Sequence, residues 1–308
     1  MKVALALGIL VAGCVRPPVG PPPGIEAATL SPLGATAAAA ILLPDGRRQI
    51  RLWNQFVDMP TIAFDSAHEQ PVTALAFSLD GKLVASTSSG RVIVQRVATG
   101  EVVRRIDGAP GGEGSIALEP EGRFVVSAWK GGARAYPLPD GDYTRIDHPG
   151  ATIVAAASGM VATAGPRVIG ARTFDFPSGT ERGRYGVGGA RCLALSSDGR
   201  FLAAGKKNGD VVLWDLRGRP PTAYAGAQLG GEVDLVDFLP GAHLVAASRP
   251  AAGEPGYVQL VKLDKGTDEL ATRVAARTLL AVGWNREGLA ILGERCNEEG
   301  CTLGIFKP

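Results

Sequence analysis

The sequence is poor in the side chains that most often carry catalysis or hold metals. It has three histidines and four cysteines among 308 residues. His68, His148 and His243 do not have the four-residue helical spacing of a zinc site, and we expect structural or solvent-exposed roles for them. The Gly-x-Ser-x-Gly motif of common serine hydrolases does not occur. We therefore assign no catalytic residue, metal ligand or cofactor, while a carboxylate pair formed by loop residues stays open.

Long apolar and charged runs are also missing. The apolar run from Val3 to Val11 is interrupted by Gly8, and about ten residues are too few for a membrane-spanning helix, which needs about twenty. No five consecutive residues carry charges of one sign, and the formal net charge is +2. This near-neutral balance argues against a charged tail and against a nucleic-acid partner, which requires a basic face.

The N-terminus has the pattern of an export signal. Lys2 precedes the short apolar run, and small residues follow it. Val11-Ala12-Gly13-Cys14 resembles the lipobox of bacterial lipoproteins. The resemblance implies that residues 1–13 are removed and that Cys14 is acylated more than once, which anchors the protein stably to a membrane. The alternative is an ordinary secretory signal with a chance cysteine.

Residues 14–24 are predicted to form a tether between the lipid and a folded body. Five prolines lie in this stretch, and they favour an extended polyproline II path of about 3 Å per residue. The tether would hold the body roughly 20–30 Å from the membrane. Val15, rather than Asp, follows Cys14, which by resemblance to lipoprotein sorting in enterobacteria favours the outer membrane. A periplasmic and a surface-facing orientation both stay open.

Internal repeats predict the architecture of residues 25–308. The segments 74–101, 115–142 and 192–219 share a short apolar stretch, a turn ending in Gly, a second apolar stretch, a polar turn and a third stretch. Weaker copies give seven turn glycines, spaced 37 to 47 residues apart, at Gly34, Gly81, Gly122, Gly159, Gly199, Gly241 and Gly288. A period near 40 with strand-like segments is typical of four-stranded propeller blades. We predict one all-β propeller of seven blades, with six or eight as alternatives.

Two of these repeats resemble WD-repeats. Residues 66–101 have a His, a strand, Ser-x-Asp-Gly and two further strands, and residues 208–215 end in Trp-Asp. The resemblance is to divergent bacterial WD-repeat-like propellers. It implies a hydrogen-bonded network in which His68 and Ser86 are kept, Ser89 stands at the Asp position and Gln95 at the Trp position. The later unit keeps Asn208 and Trp214 without a His.

Closure of the ring is the difficulty in this prediction. The chain ends just after the third strand of the last unit. Residues 15–24 are rich in proline and cannot supply a ladder of N–H groups. Either the last blade has three strands or a weak repeat is miscounted.

The remaining cysteines fit an exported protein. Cys296 and Cys301 lie on either side of a four-residue turn, and outside the cytoplasm such a pair is expected to form a disulfide. The alternative is two free thiols that lie close together. Cys192 opens a first strand and is predicted to be a small buried hydrophobe.

These features favour a binding protein. We predict a monomeric, lipid-anchored platform in the cell envelope, whose propeller binds an envelope protein or polymer. Trp129 and Tyr257, next to Gly-rich loops, are the candidate binding-face aromatics, with packing between blades as the alternative. A second hypothesis is an enzyme or small-molecule binder that uses the central channel, as propeller lactonases and quinone-dependent dehydrogenases do. Fold alone does not choose between them.

Overall fold

The computed structural model describes residues 25–32, 36–54, 62–109, 114–129, 131–218, 221–239 and 243–248, and the backbone of five strands between residues 256 and 306. Its elements are β-strands joined by turns, as the sequence predicts. Within these residues, no helix has the length and apolar character needed to cross a bilayer.

The strands are short, and most carry small, β-branched or aromatic residues that suit a pleated, two-sided environment. The first half of the chain contains β1 (Ile25–Leu30), β2 (Thr36–Leu42), β3 (Arg48–Asn54), β4 (Ile62–Asp65), β5 (Val72–Phe77), β6 (Leu83–Ser88), β7 (Arg91–Arg96), β8 (Val102–Asp107), β9 (Ile116–Leu118), β10 (Phe124–Trp129), β11 (Gly132–Pro137), β12 (Thr144–Ile146), β13 (Ile153–Ala157) and β14 (Met160–Ala164). The second half contains β15 (Ile169–Asp175), β16 (Glu181–Gly188), β17 (Ala190–Leu195), β18 (Phe201–Lys206), β19 (Asp210–Asp215), β20 (Thr222–Gln228), β21 (Val233–Leu239), β22 (His243–Ser248), β23 (Gly256–Lys262), β24 (Thr267–Val274), β25 (Thr278–Asn285), β26 (Gly288–Asn297) and β27 (Gly300–Phe306).

These strands form seven antiparallel sheets within the described residues, each a simple meander in chain order. Sheets 1 to 6 contain four strands each, β1–β4 through β21–β24, and sheet 7 contains β25–β27. The three-stranded last sheet is one of the two arrangements that the sequence left open.

The sheets are arranged in a ring. The first strand of each sheet contacts the first strand of the next, from β1 and β5 through to β21 and β25. β25 also contacts β1, so the last sheet lies against the first. This closed, all-β arrangement is consistent with a β-propeller.

The core is divided into layers between neighbouring sheets. In one layer, Leu75 of sheet 2 packs with Ile50 and Leu52 of sheet 1. In another, Trp214 and Leu193 of sheet 5 pack with Met160 of sheet 4. Similar layers join sheets 2 and 3, 3 and 4, and 5 and 6. Sheets 1 to 6 therefore depend on one another for burial of their apolar faces.

The Ser-x-Asp-Gly turns are built alike in two sheets. Ser78 Oγ donates to Asp80 Oδ1 at 2.7 Å and accepts from Leu83 N at 3.0 Å. Ser196 and Asp198 repeat this pattern at 2.7 Å, with Phe201 N as the second donor at 2.9 Å. The glycine that follows each Asp has a φ near +70°, which L side chains rarely adopt. The sequence signal and the turn geometry therefore coincide.

Candidate interaction surfaces

The ring has two faces. We call the end with the first-to-second strand turns the turn face, and the end with the second-to-third strand turns and the connections between sheets the loop face. Trp129, the last residue of β10, pairs with Gly132 at the loop face. Tyr257 pairs with Ser248 and Arg273 near the same face. The side chain of Tyr257 lies outside the described residues.

Trp129 belongs to an aromatic patch on sheet 3, which we define as Trp129, Arg134 and Tyr143. The Arg134 guanidinium lies 5.2 Å from the Trp129 ring centroid and 4.4 Å from that of Tyr143. Tyr143 is 47% exposed. A Cβ on Gly131 would lie 2.3 Å from Trp129 Nε1, so the turn leaves room for the indole only because residue 131 is glycine. The two cation–π contacts hold the three side chains together on the surface.

The patch rests on a more deeply buried layer. Tyr136 is 2% exposed, and its ring lies 5.8 Å from that of Tyr143. Burial raises the pKa of Tyr136, so this phenol stays neutral at physiological pH. Arg104 of sheet 2 donates to the Gly141 carbonyl oxygen at 2.6 Å and to that of Pro137. Sheet 2 thereby supports the connection that carries Tyr143.

A second feature is a cavity of about 130 Å³ at the turn face, in the centre of the ring. It is lined by the ends of the first strands of sheets 1 to 6 and by residues that follow them, most of which are apolar. Asp237 is the one carboxylate among the described lining residues. The described part of the channel therefore does not bring two carboxylates together, and the channel-enzyme hypothesis gains no support from it.

Asp237 has an unusual environment for an acid. Its Oδ1 accepts a hydrogen bond from Phe238 N at 2.8 Å. Burial raises its pKa to about 6, and the Phe238 N–H opposes that shift. Sequence reasoning missed this residue, because Asp237 is one of many carboxylates until the ring places it in the channel.

The predicted contact between His68 and Ser86 is present. His68 Nε2 lies 2.8 Å from Ser86 Oγ, and its Nδ1 lies 2.7 Å from Ser88 Oγ. Ser88, and not Ser89, therefore contacts the imidazole from this segment. Gln95 is buried and donates to the carbonyl oxygens of Asp65 and Gly100, both at 3.1 Å.

His148 has an equivalent structural role in sheet 4. It is 2% exposed, and its Nδ1 lies 2.7 Å from Thr163 Oγ1 on β14. Burial, followed by nearby arginines, lowers the pKa of His68 to about 4, and burial with Arg172 does the same for His148. Both imidazoles are thus neutral at physiological pH. The sequence signal for His148 was its place four to five residues before an apolar first strand, as for His68.

The cysteines differ in what the structure says of them. Cys192 is fully buried as a free thiol, as predicted, and its Sγ lies 3.5 Å from the Val233 carbonyl oxygen. Cys296 and Cys301 are direct register partners on β26 and β27, although their side chains lie outside the described residues. Cys14 also lies outside them. No group of three or more His, Cys, Asp or Glu residues suited to a metal ion occurs in the described part of the chain.

Comparison with known families gives one match. The WD domain, G-beta repeat family (WD40) matches residues 60–94 and 183–215. Comparison with curated proteins gives no match. Each matched segment begins at or just before the fourth strand of one sheet, β4 or β16, and extends into the third strand of the next sheet, β7 or β19. The sequence repeat is therefore offset from the sheet by one strand, and each matched repeat joins two sheets covalently. These findings support a WD-repeat-like protein.

Proposed function

We propose that this protein is a lipid-anchored, seven-bladed propeller that acts as a protein-binding platform in a bacterial cell envelope. The observation that carries the platform is the pair of WD40 matches on a closed ring of sheets, because such rings present rigid faces and loops to partners. The lipobox resemblance at Cys14 supports the anchor, and seven sheets in the described residues support the blade number.

The aromatic patch is the surface that we assign to the partner. Trp, Tyr and Arg are the residues most enriched in binding hot spots, and the patch contains one of each. Because Arg134 is already held between two rings, little side-chain entropy remains to be lost when a partner binds. A protein partner is favoured over a polymer because WD-repeat proteins commonly bind proteins.

The test is crosslinking in intact cells followed by affinity purification of the tagged protein. We expect a defined protein partner with the unchanged chain and its loss with Tyr143→Ala. Tyr224→Ala is the matched control, because Tyr224 of sheet 5 is also 47% exposed but lies on another blade. Partner capture that is equal in all three proteins would reject the patch, and the lack of any partner would reject the platform.

The anchor is tested separately by fractionation. Cys14→Ala should move the protein from the membrane fraction to the soluble exported fraction or leave it as an uncleaved precursor. A Cys14→Ala protein that is processed and held at the membrane like the unchanged chain would contradict the lipoprotein assignment. Capture of the partner should depend on Cys14 only if the partner is itself a membrane component.

A further inference from the structure

The channel cavity at the turn face is built from equivalent positions of successive sheets. One small residue in each of the first five sheets pairs with the third residue of the second strand in its sheet; these are Thr29, Ala76, Ala117, Ala155 and Ala194. Asp237 occupies the same position in sheet 6, where it pairs with Val245. Five small side chains and one carboxylate therefore share one level of the ring, and all of them line the cavity.

The small residues keep this level open. Thr29, Ala76, Ala117 and Ala194 are 3–8% exposed, which shows that they border the cavity without filling it. Leu and Phe residues at the next strand position add apolar walls. A slender apolar group fits such a space, whereas a bulky or strongly hydrated one does not.

The carboxylate is the unusual element of this wall. One oxygen of Asp237 accepts the Phe238 N–H, and the side chain has no ion pair to any other described residue. Asp237 is partly exposed, towards the cavity that it lines, and a carboxylate held away from bulk water without a neighbouring cation is costly. A cation delivered into the cavity would remove that cost, because attraction between opposite charges is strong where water is excluded.

We propose that this cavity is a binding site for a primary ammonium group on a slender apolar stem, with Asp237 as the anchoring carboxylate. The same chemistry is offered by a free alkylamine and by a lysine side chain of a peptide. A divalent metal ion fits less well, because calcium requires six to eight oxygen ligands and the described lining residues supply a single carboxylate. The site shares no residue with the aromatic patch and does not depend on it.

Isothermal titration calorimetry with the purified full-length protein tests the site. The probe is n-butylammonium, and 1-butanol is its uncharged counterpart. We expect butylammonium to bind and butanol to bind at least tenfold more weakly. Asp237→Asn should weaken butylammonium binding by roughly thirtyfold or more, as for loss of one partner of a buried charge pair. Asp140→Asn, which removes an exposed carboxylate, should bind like the unchanged protein.

A second variant keeps the test decisive if Asp237→Asn fails to fold. Ala76→Leu retains the carboxylate and fills the space opposite it, so it should also abolish binding. An N-acetylated, C-amidated Ala-Lys-Ala peptide distinguishes the sources. If the peptide binds more tightly than butylammonium, the natural ligand is a peptide lysine. If the peptide binds more weakly, the natural ligand is a free amine. The site is refuted if the unchanged protein does not bind butylammonium, if butanol binds equally well, or if the folded variants bind like the unchanged protein.

Discussion

At the scale of single residues, two imidazoles are held neutral inside the ring. The imidazoles of His68 and His148 form hydrogen bonds with hydroxyl groups within their own sheets. Both residues are at least 95% buried. Protonation of either ring would bury a positive charge and place it near arginines, and these two effects, burial first, lower both pKa values. These histidines therefore stabilise the folded state only while they are uncharged.

This predicts an acid-sensitive stability. The folded pKa values of about 4 lie below the ordinary value of 6.5, so the unfolded chain binds more protons between these values. Stability is fully present above pH 6.5 and falls as the pH decreases towards 4. At pH 5 the expected loss in the free energy of unfolding is about 2 kcal/mol for each histidine. Urea unfolding at pH 7.5 and pH 5 measures this loss in the free energy of unfolding.

The variants His68→Gln and His148→Gln provide the control for this prediction. Each removes one titrating imidazole, so each should reduce the difference between the two pH values even if it lowers stability at both. If both variants lose as much unfolding free energy between pH 7.5 and pH 5 as the unchanged protein does, the acid sensitivity belongs to other groups.

At the scale of elements, the β26–β27 hairpin is the outer part of the only sheet that has three strands within the described chain. Cys296 and Cys301 face each other in its ladder, and directly opposed residues in antiparallel strands have the Cα separations that disulfides require. We expect the exported protein to contain this disulfide. It would stabilise a hairpin that has no fourth strand beside it among the described residues.

Thiol labelling with mass spectrometry checks the pairing. Without reductant, Cys296 and Cys301 should resist labelling in denaturant while Cys192 reacts, and after reduction all three should react. The Cys296→Ser/Cys301→Ser double variant should lose about 2 kcal/mol of stability, the amount expected for closing a short loop. Full labelling of both cysteines in the exported, unreduced protein would show two free thiols.

At the scale of the whole molecule, contacts between neighbouring sheets determine the stability of the ring. In sheets 1, 2, 5, 6 and 7 the first strand has a register shift after its first residues. In sheet 1 this shift falls at Glu26, whose carboxylate accepts from Arg48 at 2.8 Å and from Val72 N of sheet 2 at 2.9 Å. In sheet 5 it falls at Arg191, which pairs with Glu232 before β21. These irregular positions therefore connect neighbouring sheets.

Glu26→Gln should consequently destabilise the protein by about 3 kcal/mol, because Arg48 would be left largely buried without its counter-charge. Asp45→Asn is the matched control. It removes the carboxylate of the exposed Asp45–Arg47 pair, and exposed ion pairs contribute little to stability because water and salt screen them. Chemical denaturation of the two variants measures both changes, and equal losses would show that the link between sheets 1 and 2 adds nothing.

The sequence alone determined the all-β class, the period near 40, the Ser-x-Asp-Gly turns and the His68–Ser86 contact, because these depend on local patterns that recur along the chain. It also identified Cys192 as buried. Only the tertiary structure decided which residues meet across sheets. Asp237 became a channel carboxylate and β25 packed against β1, because closing a ring brings together residues that no sequence spacing relates.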